Sequence, residues 1–372
     1  MPGKFIITNF AYGTGPYLRT TALAVAFNNE LEKREMERMK IIVPLIYGDR
    51  QKRGMQEEFG EYYRDYPGEL IFDEKLGEIL GSVFYGNNIY EDALEKWVFS
   101  AKEVSANARR HLKDTYGGDI ALELARSPRI RYDVAPAYFT SFAYIAEILE
   151  RALGVKEINV NPKLLESGAK VADWVESVYK IHAIAYPATF DYLENRKPRY
   201  KTEISTPPIA TPPFLHRDKI ERGIFVTITG IPGLERLYSE ARALGIKLYS
   251  NDTNAVAGSA RALPHVIPNQ NIAFQFARSG WSSVWLSMIS GTPLVVPDFD
   301  PKDDPEIYFN NLAVESLGIG VVYKGQPLGE ILEKRDAVRS ASSVLCGDIL
   351  KRWGTLDGNK YSAKLFVDDF VS

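Results

Sequence analysis

The chain has 372 residues, with 45 Lys or Arg and 48 Asp or Glu, so its formal net charge is −3. This balance argues against a broad basic surface, and we expect no nucleic-acid partner. The single cysteine excludes an internal disulfide framework and a multi-cysteine metal site.

The sequence contains no evident targeting or membrane segment. An apolar segment begins at residue 4, without the long hydrophobic stretch and small-residue cleavage site of a signal peptide. No apolar run reaches the roughly 18 residues that a membrane span needs. We therefore expect a cytoplasmic protein. The apolar segment 141–153 leaves peripheral membrane contact open, although a core helix is the favoured interpretation.

Strands and helices alternate along the first half of the chain. Apolar runs predict strands at 4–10, 40–47, 70–72 and 130–141, and helical spacing predicts helices at 20–38, 89–112 and 164–184. This alternation is typical of an α/β fold with a mostly parallel sheet.

A proline-rich stretch then interrupts the alternation. Pro207-Pro208 and Pro212-Pro213 favour extended backbone, so we interpret 201–221 as a linker. The linker separates an N-terminal domain at 1–200 from a C-terminal domain at 222–345. We expect the remaining segment, 346–372, to pack back on the N-terminal domain.

The alternation resumes after the linker. Predicted strands lie at 224–229, 246–249, 266–267, 294–296 and 320–323, and predicted helices at 234–244, 281–290 and 306–316. Two α/β halves joined by a linker create a cleft, and parallel sheets bind ligands beyond the carboxyl ends of their strands.

The loop and helix start at 278–283 carry the most specific signal. Gly280 lets backbone approach a ligand closely, and Ser282 and Ser283 present hydroxyls and amides at a helix N-terminus. Arg278 adds a guanidinium suited to phosphate oxygens. The pattern predicts an anion site for a diphosphate. The alternative is a capped helix whose arginine pairs with a surface carboxylate.

Segment 263–322 resembles the donor-binding region of GT-B glycosyltransferases. It is similar to the UDP-glycosyltransferase superfamily, with the pattern His-Cys-Gly-Trp-Asn-Ser, and to the peptidoglycan N-acetylglucosaminyl transferase, with Arg-Ser-Gly-Ala. Residues 278–283 read RSGWSS, a mixture of the two, and 291–293 read GTP at the matching spacing.

The resemblance implies two facing Rossmann-like domains. The N-terminal domain would bind the acceptor and the C-terminal domain a nucleotide sugar, most simply a UDP-sugar. It places these residues near the donor phosphates: Thr229, Gly230, Arg278, Ser279, Gly280, Trp281, Ser282 and Ser283. It places these near the base or the sugar: Ile267, Gln270, Glu306 and Asn310.

The sequence departs from the family pattern at two donor positions. The ribose-binding Glu falls on Leu286, which cannot accept hydroxyl hydrogens. The acid–Gln pair that precedes the family's Asn is not intact, and Glu306 is the nearest substitute, with Asp303 and Asp304 close by. A solvated acidic loop is an equally good interpretation of these three acids.

The glycine turn Gly13-Thr14-Gly15 resembles that of the peptidoglycan enzyme, but the His of that loop is missing. Glycosyl transfer needs a base for the acceptor proton. Tyr17 is a candidate, although an unperturbed phenol has a pKa of about 10. Asp49 is the best-placed carboxylate by topology, with a turn or capping role as the favoured interpretation.

The implied function is transfer of a sugar from a nucleotide-diphosphate donor to an unidentified glycan, lipid or small-molecule acceptor, with inversion. We expect no cofactor and no metal, although Asp298-Phe299-Asp300 matches a short metal-binding pattern found in the other large glycosyltransferase fold. The alternatives are a non-catalytic sugar-nucleotide or glycan-binding protein of the same fold and a sugar-nucleotide epimerase.

Overall fold

Two sheets of parallel strands organise the computed structural model, which describes residues 4–11, 13–83, 89–215, 217, 219–227 and 234–372. The first sheet has seven strands and the second has six, and the described pairings are all parallel. Helices flank both sheets. The prediction of an α/β fold with two Rossmann-like units is confirmed.

The first sheet has the order β3-β2-β1-β4-β5-β6-β7. Its strands are β1 (Phe5–Phe10), β2 (Lys40–Pro44), β3 (Leu70–Asp73), β4 (Ile120–Arg126), β5 (Ala137–Ser141), β6 (Ile181–Ala185) and β7 (Glu203–Thr206). The second sheet has the order β10-β9-β8-β11-β12-β13. Its strands are β8 (Gly223–Val226), β9 (Lys247–Ser250), β10 (Ala260–Arg261), β11 (Ile272–Phe276), β12 (Leu294–Pro297) and β13 (Gly320–Tyr323).

The helices of the first half are α1 (Thr14–Lys33), α2 (Gly48–Asp65), α3 (Glu74–Gly81), α4 (Tyr90–Tyr116), α5 (Ile145–Ala152) and α6 (Pro162–Glu176). Those of the second half are α7 (Leu234–Ala243), α8 (Trp281–Ser290), α9 (Pro305–Ser316), α10 (Leu328–Glu333), α11 (Arg335–Trp353) and α12 (Gly358–Val371).

Both sheets reverse their strand order at the middle. In the first sheet β1 lies between β2 and β4, and in the second β8 lies between β9 and β11. The connections leave such a point in opposite directions, so a crevice opens beyond the carboxyl ends of the central strands. This crevice is where β1 continues into α1, where β4 ends, and where β11 continues into α8.

Several predicted elements of the first half need correction. The helix predicted at 164–184 combines α6 with the strand β6, because a strand buried on both faces is a continuous apolar run without the alternation of a half-buried strand. The strand predicted at 130–141 is only β5 at its end. The sequence analysis missed β4, whose Ala, Leu and Glu residues favour helices in isolation.

The second half shows corrections of the same kind. The strand predicted at 266–267 falls at a short 3₁₀ turn, Pro264–Val266, and its neighbour Ile267. One of the two central strands of the sheet, β11, was not predicted from the sequence. The predicted turn at 230–233 and the end of the strand at 224–229 lie outside the described residues.

The predicted linker and the C-terminal segment both contact the first sheet. Within 201–221, β7 pairs with β6 at the sheet edge. At the C-terminus α12 packs on α1, and Phe366 stacks on Tyr138 of β5 with ring centroids 4.9 Å apart. The hydroxyl of Tyr138 also donates to Asp369 at 2.8 Å. The exact domain boundaries stay predictions.

Helix α5 belongs to the core rather than to the surface. Its apolar residues Ile145, Ala146, Ile148 and Leu149 are all buried. Burial leaves no apolar face of this helix for peripheral membrane contact. In the described part of the chain, no helix combines the length and the apolar character that crossing a bilayer requires.

A buried carboxylate anchors the start of α5. Glu176 accepts hydrogen bonds from the amides of Ile145 at 2.6 Å and Ala146 at 3.2 Å. Burial raises the pKa of Glu176 to about 8, although these two hydrogen bonds oppose the rise. The anchor matters for function because α5 forms part of the cleft described below.

We predict that this group makes the stability fall with pH. The unfolded chain loses the Glu176 proton near the ordinary value of 4.5, while the folded chain keeps it up to about 8. Between these values the folded state loses up to about 1.4 kcal/mol per pH unit. Glu176→Gln removes this titration, so melting temperatures from pH 5 to 8 should increasingly favour the variant. A difference that does not change with pH would contradict the assignment.

Candidate functional site

A cavity of about 590 Å³ lies between the two halves of the chain. Its first wall comes from the ends of β1 and β4 and from α1, α4 and α5, and includes Ala11, Gly15, Pro16, Ile89, Tyr90, Ala93, Arg126, Ser127, Arg129, Phe142, Ala143, Ile145 and Ile148. Its second wall comes from the loop before α8 and the start of α9, and includes Arg278, Gly280, Trp281, Ser282, Ser283, Asp303, Asp304, Glu306 and Ile307.

Two helices begin at this cavity from opposite walls. A Cβ placed on Gly15, in the first turn of α1, would lie 4.0 Å from Oγ of Ser282 in the first turn of α8. Neither helix has a side-chain cap at its N-terminus, where Gly13 and Gly280 are the cap residues. The first amides of a helix have no partner within the helix. Two partial positive charges therefore converge on one space.

Gly13 fits its position for a backbone reason. Its φ is +111°, which side-chain-bearing residues rarely adopt, and its amide donates to the hydroxyl of Tyr47 at 2.8 Å. This turn begins α1 at Thr14 and brings Gly15 to the cavity wall. Of the predicted glycine turn, Gly15 therefore lines the cleft, and a role of the turn in acceptor binding stays a prediction.

Arg278 lies in the cleft and has a carboxylate partner. Its Nη1 atom is 2.6 Å from Oδ2 of Asp303, and the two side chains are 51% and 27% exposed. This ion pair matches the alternative interpretation of Arg278 given above, in which the arginine pairs with a surface carboxylate. Both residues line the cavity, so the ion pair borders the α8 N-terminus that was predicted to bind an anion.

The three acids near the start of α9 differ in their partners. Asp303 pairs with Arg278, and Asp304 caps α9 by accepting from the amide of Glu306 at 2.9 Å. The carboxylate of Glu306 accepts from the side-chain amide of Asn310 at 3.2 Å. Burial and the charge of Asp304 raise the pKa of Glu306 well above that of an exposed glutamate. These acids form one wall of the cavity rather than a solvated loop.

Trp281 and Asn310 belong to a buried hydrogen-bond network. The oxygen of the Asn310 side chain accepts from the hydroxyl of Thr189 at 2.7 Å and from the indole of Trp281 at 2.8 Å. One turn further, the indole of Trp285 donates to the carbonyl of Pro187 at 2.8 Å. The loop after β6 is thereby fixed to α8. Asn310 is fully buried in this network, which corrects its predicted role in binding the donor sugar.

No protein-family model matches the sequence, and no curated protein does so. Solved structures do match. CalG4, the calicheamicin glycosyltransferase, has a TM-score of 0.62 and 13% identity, covering 100% of this chain and 99% of its own. A UDP-glucosyltransferase from Polygonum tinctorium has a TM-score of 0.61 and 11% identity, covering 100% and 98%.

TcCGT1 in complex with UDP has a TM-score of 0.64 and 10% identity, covering 99% of each chain. These matches extend over both sheets from end to end. The chain has the GT-B fold. The observation that decides it is full-length agreement of two parallel sheets, which a shared motif alone would not give. Resemblance to the peptidoglycan enzyme in particular stays a prediction.

The GT-B cleft does not contain the two predicted bases. Tyr17 is 1% exposed and packs its ring against Phe10 and Tyr47, with centroids 6.2 and 5.9 Å away. Its position two residues after Gly15 turns the phenol into the core. Asp49 is exposed in the first turn of α2 and is not among the described cavity residues. Asp49 follows β2 and therefore lies at the carboxyl edge of the first sheet, as predicted, but it does not line the cleft.

The residues predicted near the base are also separated from the cavity. Ile267 is buried, and its carbonyl accepts from the hydroxyl of Thr292 at 2.6 Å, while Gln270 is exposed. Leu286 packs on the apolar cluster that contains Ile267 and Phe225. Neither Ile267 nor Gln270 is among the described residues that line the cavity. The predicted phosphate contacts Thr229 and Gly230 lie outside the described residues.

The other predicted positions on and after the loop have defined roles. Ser279 is fully buried, with its hydroxyl 3.5 Å from the carbonyl of Ile307, so it supports the loop rather than facing the cavity. Asp298 and Asp300 accept from the amides of Phe299 at 3.0 Å and Lys302 at 2.9 Å. Such bonds stabilise a turn. The expectation that no metal binds there stays a prediction.

Arg126 ends β4 at the reversal point of the first sheet and was not predicted from the sequence. It is 4% exposed and lines the cavity. The available signal was a charged residue directly after the segment 120–125, which is apolar except for Glu123. Because the segment was not identified as a strand, nothing placed its end at a ligand-binding edge.

Proposed function

We propose that the protein is a glycosyltransferase that moves a sugar from a nucleoside-diphosphate donor to an acceptor hydroxyl in the GT-B cleft. The observation that carries the proposal is the convergence, in one cavity, of the uncapped starts of α1 and α8 with the carboxylate of Glu306. The matched structures include a UDP-glucosyltransferase and a complex with UDP, which favours a UDP-sugar as donor.

The start of α8 is our proposed site for the donor diphosphate. Free amides and the helix dipole stabilise anions, and Ser282 and Ser283 add hydroxyls at the same point. Arg278 is half exposed and can exchange Asp303 for phosphate oxygens at small cost, because exposed ion pairs contribute little to stability. The same groups would stabilise the charge that develops on the leaving diphosphate, without requiring a metal ion.

Glu306 is our proposed general base. The other two cleft acids are already engaged by Arg278 and by the start of α9. A raised pKa brings a carboxylate closer to the value that suits proton transfer near neutral pH. The acceptor oxygen would form a bond to the anomeric carbon as the bond from that carbon to the diphosphate oxygen breaks. The electron pair leaves with the diphosphate, the proton goes to Glu306, and one displacement inverts the configuration.

Leu286 favours one alternative function. A leucine packed on an apolar cluster cannot bind ribose hydroxyls, so donor affinity depends on other contacts. A chain that kept the fold but lost turnover would bind UDP and leave UDP-sugars unchanged. The epimerase alternative instead predicts interconversion of a UDP-sugar without any acceptor.

The test is a thermal-shift panel of UDP, GDP, dTDP and their sugars on the wild type, Ser282→Glu and Ser282→Gln. The two variants match in size and differ in charge. We expect a UDP-dependent shift that survives in Ser282→Gln and is lost in Ser282→Glu, because a carboxylate would occupy the helix start. Transfer to a panel of phenols and sugars then separates a transferase from a binding protein. No nucleotide-dependent shift in the wild type would overturn the proposal.

We also predict that Asp303→Asn tightens UDP binding about threefold at low ionic strength, because it releases Arg278 from its ion pair. The gain should disappear at about 0.5 M salt, where exposed charges are screened. Isothermal titration at both salt concentrations measures it, with Arg278→Ala as the variant of opposite sign. Equal affinities for wild type and Asp303→Asn at low salt would show that Arg278 does not contact the phosphates.

A further inference from the structure

Arg126 is a cleft arginine whose charge is not balanced by any carboxylate in the described part of the chain. Arg278 pairs with Asp303, and Arg129 lies 3.9 Å from a carboxylate oxygen of Asp304. Arg126 forms no ion pair with any described residue, and its one hydrogen bond within the described chain runs from Nη1 to the carbonyl of Ile209 at 3.0 Å. A guanidinium has five N–H donors, so most of its capacity remains for a ligand.

The burial of Arg126 makes the lack of an ion-pair partner among the described residues unusual. The side chain is 4% exposed and stands 5.7 Å from the ring centroid of Trp285. Burial, and secondarily the charge of Arg19, lower the pKa of Arg126 to about 9, so the guanidinium still carries its charge at neutral pH. A buried charge without an opposite partner is unfavourable and is normally paired. The cavity is the open side from which such a partner can come.

Arg126 belongs to a different element from the proposed diphosphate contacts, although it reaches Trp285 in the second turn of α8. It belongs to the wall built from the first sheet, whereas Arg278, Ser282 and Ser283 belong to the facing wall. Apolar side chains dominate its own wall, including Ile89, Phe142 and Ile148. A cation set in an apolar wall is complementary to a molecule with an apolar body and one anionic group.

We propose that the acceptor is an organic acid: a hydroxylated aromatic or aliphatic molecule whose carboxylate pairs with Arg126. The proposal rests on the proposed function, since it assigns this wall to the acceptor. The guanidinium supplies a planar pair of donors that matches a carboxylate, and it fixes the acceptor so that its hydroxyl faces the opposite wall. Arg126 then acts as the residue that selects acidic over neutral acceptors.

The experiment uses three matched pairs, each an acid and the alcohol of the same skeleton: 4-hydroxybenzoate and 4-hydroxybenzyl alcohol, 4-coumarate and 4-coumaryl alcohol, and 12-hydroxydodecanoate and 1,12-dodecanediol. Affinities are measured without donor on the wild type, Arg126→Met and Arg129→Met. We expect at least one acid to bind the wild type at least tenfold more tightly than its alcohol. Arg126→Met should abolish the difference, and Arg129→Met, which removes a charge that already has Asp304 nearby, should keep it.

The UDP affinity of the same three proteins tests the other explanation, that Arg126 binds the donor rather than the acceptor. If Arg126→Met weakens UDP and leaves every acid-to-alcohol ratio unchanged, Arg126 belongs to the donor site and the proposal is overturned. If the wild type favours no acid, it is overturned regardless of whether the variant folds. Absence of UDP binding to the wild type would instead count against the proposed function, because the acid measurements need no donor.

Discussion

Glu306→Gln should lower the rate of sugar transfer at least about 100-fold while leaving UDP affinity within about threefold of the wild type. The substitution keeps the size of the side chain and its hydrogen-bond acceptor for Asn310, which donates at 3.2 Å. It removes the one property that the proposed base needs, the ability to take a proton from the acceptor hydroxyl. Initial rates with saturating UDP-sugar and titration with UDP measure the two quantities.

The pH dependence of the wild type provides a second readout. Burial first, and then Asp304, raise the pKa of Glu306, while Arg129 opposes the rise. A base must be deprotonated to act, so kcat/KM should rise with pH, with a midpoint well above the usual 4.5 of a glutamate. The matched control is Asp303→Asn, which should retain the rate at saturating UDP-sugar and the rising limb, with a lower midpoint because the charge of Asp303 contributes to the raised pKa of Glu306. A Glu306→Gln enzyme with near wild-type rates would remove Glu306 as the base.

Gly358→Ala should lower the unfolding free energy by about 3 kcal/mol, with a fall of about 4 °C in the melting temperature. Gly358 begins α12 and donates its amide to the carbonyl of Pro208 at 2.9 Å. A Cβ at this position would lie 2.2 Å from that carbonyl oxygen and 2.5 Å from the carbonyl oxygen of Pro207. Both obstacles are backbone, so either α12 or the 207–208 segment must move.

The control for this prediction is Gly347→Ala in the interior of α11. A Cβ there meets no described atom within 4 Å beyond its chain neighbours and the backbone of its own helix. Alanine should therefore raise the helix propensity and stabilise the protein by up to about 1 kcal/mol. Melting curves of both variants, with the far-UV circular dichroism of each, make the comparison. Equal melting temperatures for Gly358→Ala and the wild type would mean that the start of α12 does not pack tightly on the segment between the two sheets.

The sequence by itself determined the fold class and the start of α8. Apolar runs and helical spacing predicted β1, β2, β12 and β13 within a few residues, because short buried strands need continuous apolar side chains. Gly280, Ser282 and Ser283 predicted the helix start, because a helix N-terminus exposes amides that small residues leave accessible. Both are local properties of the chain, so the order and spacing of neighbouring residues in the sequence are enough to predict them.

The tertiary structure decided which polar groups share the cleft. Tyr17 and Asp49 looked suitable as bases, but the direction of α1 and α2 turns one into the core and leaves the other on the surface. Arg126 and Glu306 are 180 positions apart, and sheet topology brings both to one cavity. Their partners, their burial and their shifted pKa values arise from contacts between distant segments, and no local pattern in a sequence specifies such contacts.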